Sequence, residues 1–134
     1  KINSAVKYRE SFRPFAPATL NEFVDDIFDI KNKNRKVRFM ERAYHVKKKW
    51  RHQLGAVTHV DGTGRVQSVE KEVNPKFHKL ITEFYNITQV PVLLNTSFNL
   101  NGEPIVMTPE HAIRTFFTCG LDYLVLGNFL ISKK

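Results

Sequence analysis

The sequence from residue 74 to residue 120 constrains the fold most, because it encloses a short apolar strand between two well-marked helices. Asn74 and Thr108 are favourable N-cap residues, and each is followed by a proline, in "NPKFHKLITEFYN" and "TPEHAIRTFFTCG". Apolar residues recur at helical spacing in the first segment, and Gly120 marks the end of the second. Between them, "VPVLLN" at residues 90–95 predicts a buried strand. These elements predict a domain in which helices pack against a sheet.

The remaining segments add further strands and one more helix without strict alternation. "SAVKYRESF" alternates apolar and charged residues and predicts a strand, and residues 18–29 predict a helix. "KVRFMERAYHV" is compatible with a strand, and "GAVTHV" and "RVQSVE" predict a hairpin joined at "DGTG". "DYLVLGNFLIS" predicts two short strands around Gly127 and Asn128. We therefore expect a single α/β or α+β domain over residues 1–134, with a mixed sheet flanked by helices.

Positive charge is concentrated in residues 31–52, which hold ten Lys or Arg residues and one acidic residue, Glu41. The whole chain carries +8 and this basic segment carries +9, so the remaining sequence is close to neutral. Two interpretations are open. The segment is either a nucleic-acid surface in which Tyr44 and Trp50 stack on bases, or a solvated, partly mobile insertion. Because charge runs are commonly solvated, we favour the insertion.

Length and composition are typical of an ordinary globular domain. The 134 residues suit one domain, and no apolar run approaches the roughly 18 residues of a membrane-spanning helix. The lone cysteine, Cys119, excludes an internal disulfide and fits a reducing, cytoplasmic location. Its place near the end of a predicted helix favours a buried, unreactive thiol. The first residue is Lys1 rather than Met, and we expect a domain of a longer protein.

Several kinds of catalytic site lack their sequence pattern. The five histidines include no pair with the spacing of a zinc site, so we expect no metal site built from the chain itself. "NTSFN" does not form a nucleophile elbow, and neither a Walker A motif nor a dinucleotide-binding glycine fingerprint is present. His59 and Asp61 form either a proton-transfer pair or a turn, and we favour the turn.

Small polar residues follow the predicted strand at 90–95. Ser97 and Asn99 lie two residues apart, so their side chains share one face of an extended segment. A hydroxyl and a carboxamide can bind phosphate or carbonyl oxygens without adding charge. The pattern is also that of a simple polar turn, and spacing alone does not decide between the two.

Basic residues with the geometry for an anion occur elsewhere in the chain. Lys7 and Arg9 have the same two-residue spacing, in the predicted strand near the N-terminus. Arg13 follows in a turn stiffened by proline, and Arg65 follows "HVDGTG". Guanidinium groups bind phosphate through two parallel hydrogen bonds, and a lysine adds a compact charge. The alternative is that these cations only face solvent.

Six segments together resemble the C-terminal domain of the O-carbamoyltransferase family, which includes nodulation-factor and antibiotic carbamoyltransferases. They are "VKYRESFRPFAPA", "HVDGTGRVQSV", "NPKFHKLITEF", "VPVLLNTSFNLNGEPIV", "TPEHAIRTFF" and "GLDYLVLGNFLI". The resemblance runs from residue 5 to residue 131, with only the basic segment poorly matched. Several long motifs in the same order are more specific than any one of them.

The resemblance implies a YrdC-like fold, which is a twisted mixed sheet flanked by helices with a basic concave face. It identifies Lys7-Tyr8-Arg9 with a K-x-R motif and Ser97-Phe98-Asn99 with an S-x-N motif. It implies that the domain binds carbamoyl phosphate and ATP, with Mg²⁺ accompanying the nucleotide, and forms a carbamoyl-adenylate. The implied site comprises Lys7, Arg9, Arg13, Arg65, Ser97 and Asn99, with Lys7, Arg13 and Arg65 as catalytic residues and His59, Asn95 and Thr96 as secondary candidates.

The chain departs from the family pattern at two positions. Gln89 occupies a position where glycine is usual, and Gly64 replaces a usual alanine. The family also carries a larger N-terminal domain, similar to actin and sugar kinases, which is implied to bind the hydroxyl acceptor and complete the transfer with a metal. We therefore expect this chain to run only the activation half-reaction. Two other functions stay open, a nucleic-acid-binding YrdC-like module and a catalytically silent docking domain.

Overall fold

A computed structural model describes residues 2–31 and 36–133 of the chain. The chain divides into two compact units. The terminal unit consists of Lys1–Arg13 and Ser97–Lys134, and the central unit consists of Pro14–Thr96. Lys33 and Arg35 of the basic segment lie outside the described residues.

The central unit is built on a three-stranded mixed sheet. Its middle strand, β1 (Ala16–Leu20), is buried along its whole length. It pairs in parallel with β4 (Gln67–Val69) and antiparallel with β5 (Val92–Asn95). The long helix α4 (Pro75–Thr88) packs against the sheet through Ile81, which has no exposed surface. The predicted α/β class with a mixed sheet is therefore confirmed.

Shorter elements complete the central unit. They are a 3₁₀ turn at Asn21–Phe23, α2 (Val24–Ile27), β2 (Tyr44–His45), α3 (Lys48–Arg51), a 3₁₀ turn at Gly55–Val57 and β3 (Thr63–Gly64). β2 and β3 form a two-stranded antiparallel sheet. β2 falls within "KVRFMERAYHV", the segment whose sequence is compatible with a strand.

Two predictions for this unit are wrong. The helix expected at residues 18–29 begins as β1, and only Val24–Ile27 is α-helical, because "APATL" lies buried between two strands and tertiary pairing overrides local spacing. The hairpin expected at "DGTG" does not form. β3 pairs with β2, β4 pairs with β1, and residues 55–57 are a 3₁₀ turn.

The terminal unit combines two helices and one hairpin. α1 (Ile2–Ala5) is short, and α5 (Pro109–Thr118) packs against the antiparallel pair β6 (Tyr123–Leu126) and β7 (Phe129–Ser132). Its core consists of Ala112, Phe116 and Leu124. The two strands predicted around Gly127 are confirmed, and Cys119 is buried as expected.

The strand predicted over "SAVKYRESF" is wrong. The backbone N–H groups of Val6 and Lys7 both donate to the carbonyl of Ile2, at 3.0 Å, which continues the turn of α1. Tyr8 then adopts a left-handed conformation with φ of 46°. Because this conformation is not extended, Lys7 and Arg9 do not share the face of a strand.

Both helix caps predicted from the sequence are confirmed. Asn74 Oδ1 accepts a hydrogen bond from the backbone N–H of Phe77 at 3.2 Å, and Thr108 Oγ1 accepts one from that of His111 at 3.2 Å. Each cap satisfies a backbone donor that the first turn of a helix leaves without a partner.

Candidate functional site

The side chain of Lys7 is the centre of a polar cluster in the terminal unit. Lys7 follows α1 and is only 6% exposed. Its ammonium donates to the carbonyl oxygen of Ser97 at 2.5 Å, to Asn99 Oδ1 at 2.9 Å and to the carbonyl oxygen of Asn99 at 3.1 Å. Because a lysine ammonium has three donors, the S-x-N segment occupies all of them.

Ser97 and Asn99 form the other half of this cluster. Ser97 Oγ donates to Asn99 Oδ1 at 2.6 Å, and Asn99 Nδ2 donates to the carbonyl oxygen of Glu103 at 2.8 Å. The backbone N–H of Val106 donates to the carbonyl of Phe98 at 2.9 Å and closes the loop. The orientation of the Asn99 carboxamide is thus fixed by three neighbours before any ligand arrives.

The surroundings of Lys7 shift the pKa of its side chain. Burial of the side chain, followed by the positive charge of Arg9, lowers the pKa of Lys7 below its ordinary value. Both effects disfavour the charged ammonium, and a negative charge nearby has the opposite effect. An anion that binds beside Lys7 therefore stabilises the protonated form of this side chain.

Arg9 and Arg13 belong to the same unit and are linked by one buried residue, Asn3. Arg9 Nε donates to Asn3 Oδ1 at 2.9 Å. Asn3 Nδ2 donates to the carbonyl oxygen of Arg13 at 2.8 Å. The Arg13 guanidinium is half-exposed and pairs with Glu10 Oε2 at 2.9 Å. The terminal unit thus places Lys7, Ser97 and Asn99 in contact and holds two arginines near the same short segment.

The other predicted residues belong to the central unit. Arg65 is exposed immediately after β3, and Thr96 is exposed at the end of the unit. Asn95 is the last residue of β5, and its Nδ2 donates to Gln67 Oε1 at 2.9 Å. The structure uses Asn95 to join the ends of two strands.

His59 and Asp61 shape a turn around Thr63. Thr63 Oγ1 donates to Asp61 Oδ1 at 2.7 Å and lies 3.0 Å from His59 Nδ1. The hydrogen bonds from the Thr63 hydroxyl and backbone N–H lower the pKa of Asp61. No proton-transfer pair forms here among the residues described, because both side chains point at Thr63 instead.

Asn3 is a polar residue of the cluster that the sequence did not single out. It is 8% exposed and lies four residues before Lys7. Its position becomes informative only once residues 2–5 are known to be helical, since one helical turn then separates it from Lys7. Because the sequence predicted a strand over this segment, it did not indicate that Asn3 and Lys7 lie one helical turn apart.

The described part of the basic segment is packed rather than fully solvated. Val37 is 1% exposed and Val46 is completely buried. Several of the basic side chains also donate to acceptors within the chain: Lys36 and Arg38 to Glu70, Lys47 to the carbonyl of Asp25, Lys49 to Asp26 and Arg51 to the carbonyl of Val46. These contacts compete with any nucleic-acid backbone, so we do not advance a nucleic-acid-binding function.

The described residues contain neither a metal-binding cluster nor a membrane-spanning helix. Over residues 2–31 and 36–133, no three His, Cys, Asp or Glu side chains are grouped so that they could hold a metal ion. Over the same residues, no helix has the length and apolar character needed to cross a bilayer.

Comparison with known proteins identifies the relatives of the chain. The family model described as "Carbamoyltransferase C-terminus" matches residues 1–133. The nodulation protein NolO of Bradyrhizobium diazoefficiens is 46% identical over 134 residues, which cover 100% of this chain and 24% of the relative. The nodulation protein NolNO of Sinorhizobium fredii is also 46% identical over 134 residues, covering 100% of this chain and 20% of the relative.

A more distant relative carries a chemically informative name. The 3'-hydroxymethylcephem-O-carbamoyltransferase of Amycolatopsis lactamdurans is 33% identical over 123 residues, which cover 92% of this chain and 23% of the relative. The chain therefore spans only about a quarter or less of the length of these relatives.

Proposed function

Because this chain belongs to the carbamoyltransferase C-terminus family, we propose that it binds carbamoyl phosphate and ATP and forms a carbamoyl-adenylate. The observation that carries the proposal is the buried Lys7 ammonium, 6% exposed and held by Ser97 and Asn99. A fixed cation next to neutral donors and acceptors suits a ligand that has both a phosphate and a carbamoyl group.

The proposed reaction consumes two polyanions and one water molecule. Carbamoyl phosphate is cleaved by water to carbamate and inorganic phosphate. A carbamate oxygen then attacks the α-phosphorus of ATP, forming the carbamoyl-adenylate as the bond to pyrophosphate breaks. Bringing two polyanions together requires several fixed positive charges, and stabilising charge on phosphoryl oxygens is the main task of such a site.

The proposed roles follow from the chemistry of each side chain. Arg9, Arg13 and Arg65 neutralise phosphate oxygens, for which a guanidinium is well shaped. Ser97 and Asn99 orient the carbamoyl group through neutral hydrogen bonds. Lys7 fixes the S-x-N segment and supplies positive charge beside it. Mg²⁺ would arrive with the nucleotide and supply further charge neutralisation on its phosphates.

The second half of the reaction is assigned to another domain. The relatives are four to five times longer than the matched region, which supports a separate N-terminal domain, similar to actin and sugar kinases, that holds the acceptor. We propose that the carbamoyl group passes to a hydroxyl group of that acceptor in the cytoplasm. The name of the cephem relative, which is an O-carbamoyltransferase of a hydroxymethyl compound, supports a hydroxyl acceptor.

Calorimetric titration with ATP–Mg²⁺ and with carbamoyl phosphate tests the binding step. We expect Asn99→Ala and Arg65→Ala to weaken binding by at least about tenfold, since each removes a hydrogen-bonding or charged contact to a polyanion. Asn86→Ala and Arg114→Ala are matched controls, because both residues are exposed on helices outside the proposed site. Circular dichroism checks that every variant is folded. Unchanged affinity in both site variants would exclude the proposed site.

A further inference from the structure

Both polar groups of the Asn3 carboxamide are hydrogen-bonded within one short segment. Its Oδ1 accepts from Arg9 Nε at 2.9 Å. Its Nδ2 donates to the carbonyl oxygens of Ser11 at 3.2 Å and Arg13 at 2.8 Å. A carboxamide has one acceptor oxygen and two N–H donors, so each of its polar groups has a partner.

The segment that Asn3 holds has no regular secondary structure of its own. Residues 6–15 follow α1 without forming a helix or a strand. Within this segment Tyr8 has a positive φ of 46°. The backbone N–H of Arg9 donates to the carbonyl oxygen of Asn3 at 3.0 Å, and that of Arg13 donates to the carbonyl oxygen of Glu10 at 3.2 Å. These backbone contacts and the Asn3 side chain help to hold the segment that carries both arginines.

Burial makes the Asn3 contacts strong constraints. The residue is 8% exposed, so breaking any of its hydrogen bonds would leave a buried polar group without a partner. Such a group costs more than an exposed one, because water cannot replace the lost partner. Asn3 therefore fixes the Arg9 side chain and the backbone that carries Arg13 at the same time.

We propose that Asn3 is a positioning residue that sets the Arg9 guanidinium and the residue 11–13 loop in place for anionic substrates. The inference rests on the proposed function, since it assigns both arginines to the phosphate groups. An arginine that is already fixed loses less conformational entropy on binding, and this raises affinity without any contact between Asn3 and the ligand. Asn3 acts through its two partners rather than on the reacting atoms.

A mutational cycle separates positioning from a general effect on folding. The dissociation constants of ATP–Mg²⁺ and carbamoyl phosphate are measured for Asn3→Ala, for Arg9→Ala/Arg13→Ala, and for the triple variant. We expect Asn3→Ala alone to weaken binding of both ligands by about fivefold to tenfold. This factor corresponds to the net free energy of roughly one hydrogen bond. In the background that lacks both arginines, Asn3→Ala should cause less than about a twofold further change.

A matched variant controls for stability. Thr115→Val alters another buried polar residue of the terminal unit, which is 2% exposed on α5, and should leave both affinities unchanged.

The outcomes distinguish this inference from the function on which it rests. If Arg9→Ala/Arg13→Ala binds both ligands as wild type does, the proposed role of the arginines fails. If that variant is weakened but Asn3→Ala binds normally, or loses the same factor in both backgrounds, the positioning role fails. A measurement on the wild-type protein does not depend on any variant folding. The Nε–H of Arg9 should exchange with solvent more slowly in NMR than that of the exposed Arg114, and equal rates would overturn the inference.

Discussion

Gln89 ends helix α4 in the left-handed conformation, with φ of 58° and ψ of 20°. Its backbone N–H donates to the carbonyl of Tyr85 at 2.8 Å, and its side chain contacts the carbonyls of Tyr85 and Asn86 at 3.3 and 3.4 Å. A side chain with a Cβ atom is strained in this conformation, whereas glycine is not. Glycine is the residue that the family resemblance leads us to expect at this position, and it adopts this conformation without strain.

Replacing this residue should stabilise the protein. We expect Gln89→Gly to raise the free energy of unfolding by about 0.5 to 1 kcal/mol, because relief of strain exceeds the loss of two weak side-chain contacts. Thermal unfolding measures the change. Thr88→Gly, one residue earlier and inside the helix, is the control and should lower stability. A lower melting temperature for Gln89→Gly would contradict the proposed strain.

Glu70 is a buried carboxylate held by two cations. Its Oε1 accepts from Arg38 Nε at 2.6 Å, and its Oε2 accepts from Lys36 Nζ at 2.5 Å. The hydrogen bonds from Arg38 and then Lys36 lower the pKa of Glu70 from 4.5 to about 2. Because the pKa in the folded state is lower than in the unfolded state, the unfolded state binds the proton first. The stabilisation is therefore complete above pH 4.5 and is lost as the pH falls towards 2.

The lowered pKa of Glu70 predicts that the stability lost on replacing this residue depends on pH. We expect Glu70→Gln to be less stable than wild type at neutral pH, and we expect the gap to narrow as the pH falls from about 5 to about 2. Urea denaturation at a series of pH values measures it. Glu72→Gln, at an exposed position two residues away, should show a smaller gap. A gap that is constant with pH would show that Glu70 does not titrate as stated.

At the scale of single residues, the two-residue spacing predicted one of two side-chain arrangements. Ser97 and Asn99 were singled out by their spacing, and their side chains do lie in hydrogen-bond contact. Lys7 and Arg9 were singled out by the same rule, but their side chains bond to different partners, and Tyr8 between them has a positive φ rather than an extended conformation. The positive φ of a tyrosine has no signal in the local pattern.

At the scale of elements, the end of α5 packs closely against α1 in the terminal unit. The backbone N–H of Gly120 donates to the carbonyl of Ala5 at 2.7 Å. A Cβ atom at Gly120 would lie 2.7 Å from the Cβ of Ala5 and 2.9 Å from its carbonyl oxygen. Gly120 was predicted as a helix stop. Its main role is to permit this close approach, which fixes the turn from which Lys7 extends.

Adding one methyl group at this position should therefore disturb the site. We expect Gly120→Ala to lower the free energy of unfolding by about 1 to 3 kcal/mol, the usual cost of overpacking, because the nearest atoms include backbone and cannot move freely. Chemical denaturation measures the loss. Gly55→Ala is the matched control, since nothing lies within 4 Å of its Cβ position, and it should change stability little. Equal effects of the two substitutions would rule out the close contact.

Elements with strong local signals were predicted correctly, and two that depend on distant partners were not. The caps Asn74 and Thr108 act within one helical turn, so the sequence alone identifies them. β1 was missed because "APATL" becomes a strand only through β4 and β5, which lie far along the chain. The hairpin at "DGTG" failed for the same reason, since β3 finds its partner in β2.

At the scale of the whole molecule, the candidate residues are divided between two units. Lys7, Arg9, Arg13, Ser97 and Asn99 belong to the terminal unit, and Arg65 belongs to the central unit. The sequence placed all of them in one site by family resemblance, while the structure describes the Lys7 cluster within one unit. Arg65→Ala therefore tests a different part of the proposal from Asn99→Ala.

The most direct test of the proposed function is whether the chain forms an adenylate only when carbamoyl phosphate is present. Labelled pyrophosphate enters ATP only if the carbamoyl-adenylate forms reversibly. We predict that the wild-type chain with ATP–Mg²⁺ exchanges labelled pyrophosphate into ATP when carbamoyl phosphate is present and not without it. We predict that Asn99→Ala abolishes this exchange. If the folded chain binds both ligands in calorimetry and still shows no exchange, the activation half-reaction does not belong to this domain.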